Sequence, residues 1–213
     1  MGAKHFDERA STWDDDPDKR RHGRDVARAV AAAAPAREST RLLEYGAGTG
    51  LVTQGLLEIL EGLTVTLADS SSGMRAVLEA KIADGTLPKD ARVWDLDLEH
   101  DAAPQERFDL VVTSMVLHHV QALPTVLEGF AALLEDGGLL CVVDLDREDG
   151  SFHEHLDDFH GHRGFDRAEI VSTLQDAGFV GVTVQDCTQI EREDGRFQVF
   201  LAVGRRAART GGA

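Results

Sequence analysis

The stretch LLEYGAGTG, residues 42–50, runs an apolar strand into Gly46, Gly48 and Gly50 and then straight into LVTQGLLEILEG, which has helical spacing. Glycines at a strand-to-helix junction allow a tight turn and let a ligand approach the backbone. The open amides at the start of the helix favour polar or negative groups. The stretch therefore reads as a nucleotide-cofactor loop at the edge of an open α/β sheet. Its spacing is GxGxG rather than the GxGxxG of dinucleotide binders, and Glu44 stands two residues before the first glycine. A pyrophosphate gains nothing from that carboxylate, whereas a cofactor carrying an amino or sulfonium cation and ribose hydroxyls can use it.

Outward from this loop, short apolar strands alternate with longer amphipathic helices. Strands are expected at 41–45, 63–69, 91–95, 108–114, 138–145, 181–187 and 197–204, and helices at 50–61, 72–83, 122–134 and 166–177. Such alternation argues for a mainly parallel sheet covered on both faces. The last strand follows EREDGR (191–196), a turn-like segment, so a late antiparallel hairpin is expected. Alanine-rich RDVARAVAAAAPA predicts a helix over 20–34 that stops at Pro35. Residues 1–24 are densely charged and read as a loose arm docking through Phe6 and Trp13. FHEHLDDFHGH (152–162) looks like an insertion between the fifth strand and the next helix.

Acids mark the ends of the next two strands. Asp69 closes the second strand 19 residues after Gly50, a distance suited to accepting hydrogen bonds from a ribose diol. Capping of the following helix is its competing role, although Ser70, Ser71 and Ser72 can also supply that cap. Met74, one turn into the helix, places a thioether where it can pack on an adenine face or on the core. Asp95 ends the third strand where an acid can accept the adenine amine, with Asp97 as its rival. After the fourth strand, Thr113 and Ser114 lead into MVLHHV and a pocket wall.

Composition bounds the answer. The chain has 213 residues, 42% of them hydrophobic, and a net charge of −16. That length fits one fully cored domain with an arm (1–24), a core (25–204), a lid-like insertion (146–165) and a flexible tail (205–213). An acidic outer field repels polyphosphate and anionic lipid, so neither nucleic acid nor membrane is an expected partner. Cys141 and Cys187 make no zinc or redox spacing and no apolar run reaches spanning length, which sets a reducing, cytoplasmic compartment as the expectation.

LLEYGAGTG, LADSSSGM (67–74), VWDLD (93–97) and FDLVVTSMVLHHV (108–120) together resemble the successive motifs of class I S-adenosylmethionine-dependent methyltransferases, of the generic small-molecule type. FDERASTWD (6–14), GGLLCVVDLD (137–146) and HRGFDRAEIVSTLQDAGF (162–179) resemble that family's arm, fifth strand and last helix. The resemblance implies a Rossmann-like seven-stranded mixed sheet of order 3-2-1-4-5-7-6, with strand 7 antiparallel. It implies S-adenosylmethionine as cofactor and S-adenosylhomocysteine as product. Glu44, Gly46, Ala47, Gly48, Thr49 and Gly50 would lie against the methionine portion. Asp69 and Ser70 would lie at the ribose, Met74, Asp95 and Leu96 at the adenine, and Ser114 at the amino-acid end. Tyr45 departs from the small or aliphatic residue common before the first glycine, which affects packing beneath the loop.

Methyl transfer from a sulfonium is an in-line displacement, so a protein need only align the nucleophile, exclude water and remove a proton where required. His118 and His119 are the base candidates, because imidazole titrates near neutrality. Neighbouring side chains on a helical turn diverge by about 100°, so one of the two is expected to enter the pocket. Trp13, His153, His155 and His160 are candidate acceptor contacts on the arm and insertion. His153, His155, His160 and His162, interleaved with Glu154, Asp157 and Asp158, have the ligand types of a divalent-metal site. HEH is not the HExxH spacing of a metal helix, so the insertion reads as a polar lid and no metal is expected, with a metal site as the open alternative. Two other functions stay open: a nicotinamide-dependent oxidoreductase, and a noncatalytic cofactor-binding scaffold.

Overall fold

Among the described residues, seven strands form one sheet, and its edge carries the candidate site. They are β1 (Thr40–Tyr45), β2 (Leu63–Ala68), β3 (Arg92–Trp94), β4 (Phe108–Ser114), β5 (Leu134–Leu145), β6 (Phe179–Arg192) and β7 (Gly195–Arg206). The computed structural model describes residues 6–34, 38–154, 159–192 and 195–208. The spatial order is β3-β2-β1-β4-β5-β7-β6. β1 pairs in parallel with β2 and β4, β4 with β5 and β2 with β3, while β7 runs antiparallel to both β5 and β6. Fold class and strand order are therefore those the sequence implies. The order reverses between β1 and β4, and the crevice outside the carboxyl ends of those two strands is where such sheets bind ligands.

The helices are α1 (Pro17–Ala33), α2 (Leu51–Leu57), α3 (Ser72–Asp84), α4 (Leu123–Leu133) and α5 (Arg167–Asp176). Each β-strand side chain alternates across the sheet, so the core divides in two. One layer joins Leu43, Val111, Leu140 and Phe200 to α4 and α5 through Phe130 and Leu174. The other joins Leu42, Val112, Cys141 and Leu201 to α1 and α2 through Val30 and Leu56. Tyr45 fits beneath the first layer, edge-on to Phe130 at 5.1 Å, with its hydroxyl accepting the Leu98 N–H at 3.1 Å.

Several boundaries differ from the sequence reading, each for a local reason. α1 starts at Pro17, not 20, because Asp16 caps it by accepting the Asp18 N–H at 2.8 Å and proline suits the first helical position. It ends at Ala33; the stop expected at Pro35 lies outside the described residues. β6 and β7 extend well past the expected 181–187 and 197–204, since Gln189, Ile190, Glu191 and Arg192 continue the antiparallel ladder beyond β5. β7 reaches Arg206, so the first residues assigned to a tail are paired strand. The arm is not loose over Phe6–Asp15: it docks on α3 and the glycine turn after β1 through Asp7 and Asp14. Among the described residues, no helix is long and apolar enough to cross a membrane.

Candidate active site

The glycine loop leaves β1 at Tyr45 and enters α2 at Leu51. Gly46 and Gly48 have φ of +67° and +56°, a region costly for side chains with a Cβ. At Gly46 a Cβ would also collide with the Val116 side chain, whereas the space beside Gly48 is open. One glycine is thus required by packing, and the other leaves its face clear for a ligand. Ala47 anchors the turn by donating its N–H to the Ala68 carbonyl at 3.0 Å, and Thr49 is buried.

Glu44 is buried under this loop, where one carboxylate oxygen takes both the N–H and the hydroxyl of Thr53. Burial pushes its carboxyl up to about 7 against the relief given by Thr53. Asp69 bridges two loops: one oxygen accepts the Gly48 N–H at 2.8 Å and the other the Ser71 N–H at 2.8 Å. Burial raises its pKa, opposed by these two amides. Each oxygen retains a second lone pair for hydroxyl donors. Ser71, rather than Ser70 or Ser72, caps α3 by accepting the Met74 N–H. Ser70 is exposed, and Met74 and Leu96 are buried.

Asp95 stands just beyond β3, largely exposed, in a two-pronged pair with Arg75 at 2.8 and 2.9 Å. Arg75 also donates to the Asp69 carbonyl at 2.9 Å and so ties the two acidic strand ends together. Asp97 instead organises its own turn, accepting from Glu99 N at 3.0 Å. Ser114 lies at the end of β4 beside His22 of α1, Oγ to Nε2 3.4 Å. Burial lowers His22 to about 4, which leaves it neutral, and its Nδ1 is buried with no partner among the described residues. Met115 follows with φ +59°, the one non-glycine in the left-handed region among the described residues, so the strained backbone sits at the site.

The arm crosses the crevice. Asp7 accepts from Ser71 Oγ at 2.6 Å and from the Gly73 N–H at 2.7 Å, while Asp14 meets Thr49 Oγ1 and Lys81 Nζ, both at 2.5 Å. Trp13 packs against Phe6, with the Lys19 ammonium 3.6 Å from its ring centre. Phe6 in turn meets the His119 ring at 5.6 Å.

Beyond β4, the turn Leu117–His119 presents both histidines to one place. Divergence around the turn is expected to admit only one, but the rings lie 4.0 Å apart and both meet His153, at 5.1 and 5.4 Å. His153, at the end of the turn Ser151–His153, lies against both rings and stacks on Phe159 at 3.8 Å. His118 Nδ1 donates to Asp144 of β5 at 2.6 Å; Asp144 is fully buried and also accepts the N–H of His118 and of Leu145. The insertion closes down here, His162 donating its N–H to the His118 carbonyl at 2.7 Å. His160 is exposed and outside the cluster, and His155 lies outside the described residues.

Sequence reasoning missed Asp144, Thr53, His22, Asp7, Asp14, Arg75 and Lys81. Only Asp7 and Asp14 carried a signal, as acids flanking the aromatic anchors of the arm. The others depend on pairs distant in the chain, such as Asp144 with His118, 26 residues apart.

A family model described as a methyltransferase domain matches residues 18–184. The malonyl-[acyl-carrier protein] O-methyltransferase of Magnetococcus marinus is 33% identical over 114 residues, 54% of this chain and 41% of that protein. The biotin biosynthesis bifunctional protein BioCD of Bordetella avium is 32% identical over 154 residues, 71% of this chain and 31% of that protein. The chain thus spans less than half the length of these curated relatives. Among solved structures, a Haloferax volcanii methyltransferase in complex with the Trm112 methyltransferase activator superposes with a TM-score of 0.77 at 19% identity, covering 95% of this chain and 98% of that one. The Haemonchus contortus phosphoethanolamine N-methyltransferase 2, solved with phosphomonomethylethanolamine and S-adenosylhomocysteine, gives 0.69 at 16% identity, covering 84% and 51%.

Proposed function

Because the chain belongs to the methyltransferase domain family of class I S-adenosylmethionine-dependent enzymes, we propose that it methylates a small-molecule O, N, S or C nucleophile and releases S-adenosylhomocysteine. The observation that carries this reading is Asp69, whose carboxylate joins the Gly48 amide to the start of α3 beside the open face of Gly48. The residues fit the cofactor by the chemistry of their donors. Asp69 has lone pairs for a ribose diol, Glu44 offers a buried carboxylate to an ammonium, and the bare Gly48 admits close approach. When bound, S-adenosylmethionine supplies a methyl group on a sulfonium, transferred by in-line displacement.

This chain's residues do the rest. Glu44, Gly46, Ala47, Gly48, Thr49, Gly50 and Ser114 hold the methionine end, Asp69 and Ser70 the ribose, and Met74, Asp95 and Leu96 the adenine. For Asp95 to reach the adenine amine, it has to share its carboxylate with Arg75. The acceptor lies on the β4–β5 side, between Trp13 of the arm and the segment carrying His153 and His160, with His118 and His119 positioned to receive its proton. Phe6, Phe152 and Phe159 around the imidazoles exclude water. The arm 1–24 and the insertion 146–165 close one α/β core. The two unpaired cysteines, Cys141 buried, suit a reducing cytoplasmic setting.

Calorimetric titration with S-adenosylmethionine tests the reading. Saturable binding that Asp69→Asn abolishes supports it and opens a screen of acceptors. Binding of a nicotinamide dinucleotide in place of S-adenosylmethionine overturns it, and cofactor binding with no turnover across acceptor classes returns the chain to a scaffold role.

A further inference from the structure

We propose that His118, His119 and His153 hold one divalent transition-metal ion, with zinc the best fit, and that its open position takes an ionised oxygen of the methyl acceptor. The last clause rests on the methyl-transfer reading and, with the ion bound, gives the ionisation of the acceptor to the metal in place of His118 and His119; the metal site itself does not rest on that reading.

Two segments 34 residues apart converge to make the site, so no local spacing announces it. One ring nitrogen from each histidine lies within 4.8 Å of those of the other two. Nitrogens bound to zinc at about 2.0–2.1 Å in a tetrahedron stand about 3.4 Å apart, so rotations moving each donor by about 1 Å close the set. Behind His118, Asp144 is completely buried and accepts from Nδ1 at 2.6 Å. A carboxylate accepts only, so Nδ1 carries the proton and Nε2 keeps its lone pair for a ligand bond. Carboxylate support of a ligating histidine is what fixes tautomer and ring orientation in metal sites. The backbone N–H groups of His118 and Leu145 hold Asp144 in place, so this support is rigid.

Donor chemistry selects the ion. Three imidazoles favour zinc, cobalt or ferrous iron over magnesium or calcium, which demand oxygen ligands. Charge selects the fourth ligand. Neutral imidazoles bring none and Asp144 brings −1, so a doubly charged ion leaves +1, which an ionised hydroxyl, phenol or enol oxygen cancels. Three protein ligands with one open position is the arrangement of catalytic rather than structural zinc. Phe159, stacked on His153 at 3.8 Å, and Phe152, edge-on to it at 4.8 Å, wall the site against water. The ion would then lower the pKa of the acceptor oxygen directly.

The test uses the full chain without an affinity tag, stripped with a chelator and titrated with cobalt(II) followed by its visible ligand-field bands. Zinc(II) is titrated separately by calorimetry. One saturable equivalent is expected. His153→Ala, and His153→Gln as a variant closer in size, should each weaken binding at least tenfold while S-adenosylmethionine binding stays as in the parent. His153→Ala empties a buried ring site and should also lower thermal unfolding of the metal-free protein, whereas His153→Gln should lower it less. Asp144→Asn should weaken it roughly 10–100-fold. Added phenol should shift the cobalt bands. Absence of saturable binding, or parental affinity in both His153 variants, overturns the site. Bands indifferent to phenol overturn the open position. Metal binding without S-adenosylmethionine binding sinks the methyl-transfer reading alone.

Discussion

The two halves of the crevice are built on different principles. On the β1–β2 side, the surface facing the crevice is mostly backbone: the Gly46–Gly50 turn, its amides, and two short acids that hold it, Glu44 and Asp69. On the β4–β5 side it is side chains: three imidazoles, a buried carboxylate and a ring of phenylalanines drawn from the arm, two turns and the insertion. A backbone surface is set by local geometry and tolerates few sequences, which suits a ligand that stays the same. A side-chain surface changes with single substitutions and suits a ligand that varies between enzymes. The arm joins the halves, with Asp7 on α3 and Phe6 on His119, so neighbouring residues touch both.

The largest effect should separate the halves by stability. Asp144→Ala strips the acceptor from three buried donors, His118 N, His118 Nδ1 and Leu145 N. At about 1–3 kcal/mol for each buried donor left unmet, denaturant unfolding should show a loss of at least about 3 kcal/mol. Asp69→Ala serves as the counterpart: its carboxylate is only partly buried, so it should cost about 1 kcal/mol and act mainly on cofactor affinity. Equal stability losses at the two positions would end the claim that the acceptor half carries its own rigid core.

Next in size is the pH dependence of Glu44. Its folded value is about 7 against an ordinary 4.5, so the folded chain binds more protons than the unfolded one between those pH values. Its contribution is therefore full below pH 4.5 and is lost as pH rises through 7, by up to about 3 kcal/mol at 1.36 per unit. The stability of the parent minus that of Glu44→Gln should fall across this window. Saturating S-adenosylmethionine should move the fall to lower pH, because an ammonium beside Glu44 favours its charged form. A difference that stays flat with pH would mean that water reaches the carboxylate.

Legibility follows the same division. The glycine turn, Asp69 as a strand end and the number of strands were readable because each is local: a turn residue, a strand end, a period. The strand order is not local and followed only from the resemblance to a known family. The late hairpin was readable from EREDGR, but its length was not, since the ladder continues over exposed residues such as Gln189 and Glu191 that carry no apolar signal. The start of α1 was legible in Asp16-Pro17 and was placed too late because the charged residues around it resemble an arm. On the β4–β5 side, the sequence showed histidines without showing which of them meet. Asp144 looked like any acid near a strand end, and only the packing of β5 against the turn after β4 buries it with His118. Asp95 exposes the limit of strand-end reasoning, which places the carboxylate but not the Arg75 that grips it.

The smallest predicted stability change probes the backbone half, and it does so within one turn. Gly46 and Gly48 share nearly the same left-handed φ, so Gly46→Ala and Gly48→Ala each lose about 1 kcal/mol from the backbone alone. Only the first adds a collision, with Val116, which stands on the segment leading to the histidines. Gly46→Ala should therefore destabilise more, by about 1–3 kcal/mol further, and Val116→Ala in the same chain should recover that excess. Gly48→Ala has nothing to strike in the protein, so its methyl group projects into the crevice. Its thermal unfolding should shift by only a few degrees, while S-adenosylmethionine affinity falls at least tenfold. If the affinity loss merely tracks the stability loss in both variants, the open face of Gly48 is ordinary surface and the ligand is held by Asp69 and Glu44 without the turn. If Val116→Ala rescues Gly46→Ala in stability but leaves affinity low, the turn positions the ligand by its own shape, and the two halves of the crevice touch at Val116 without depending on each other.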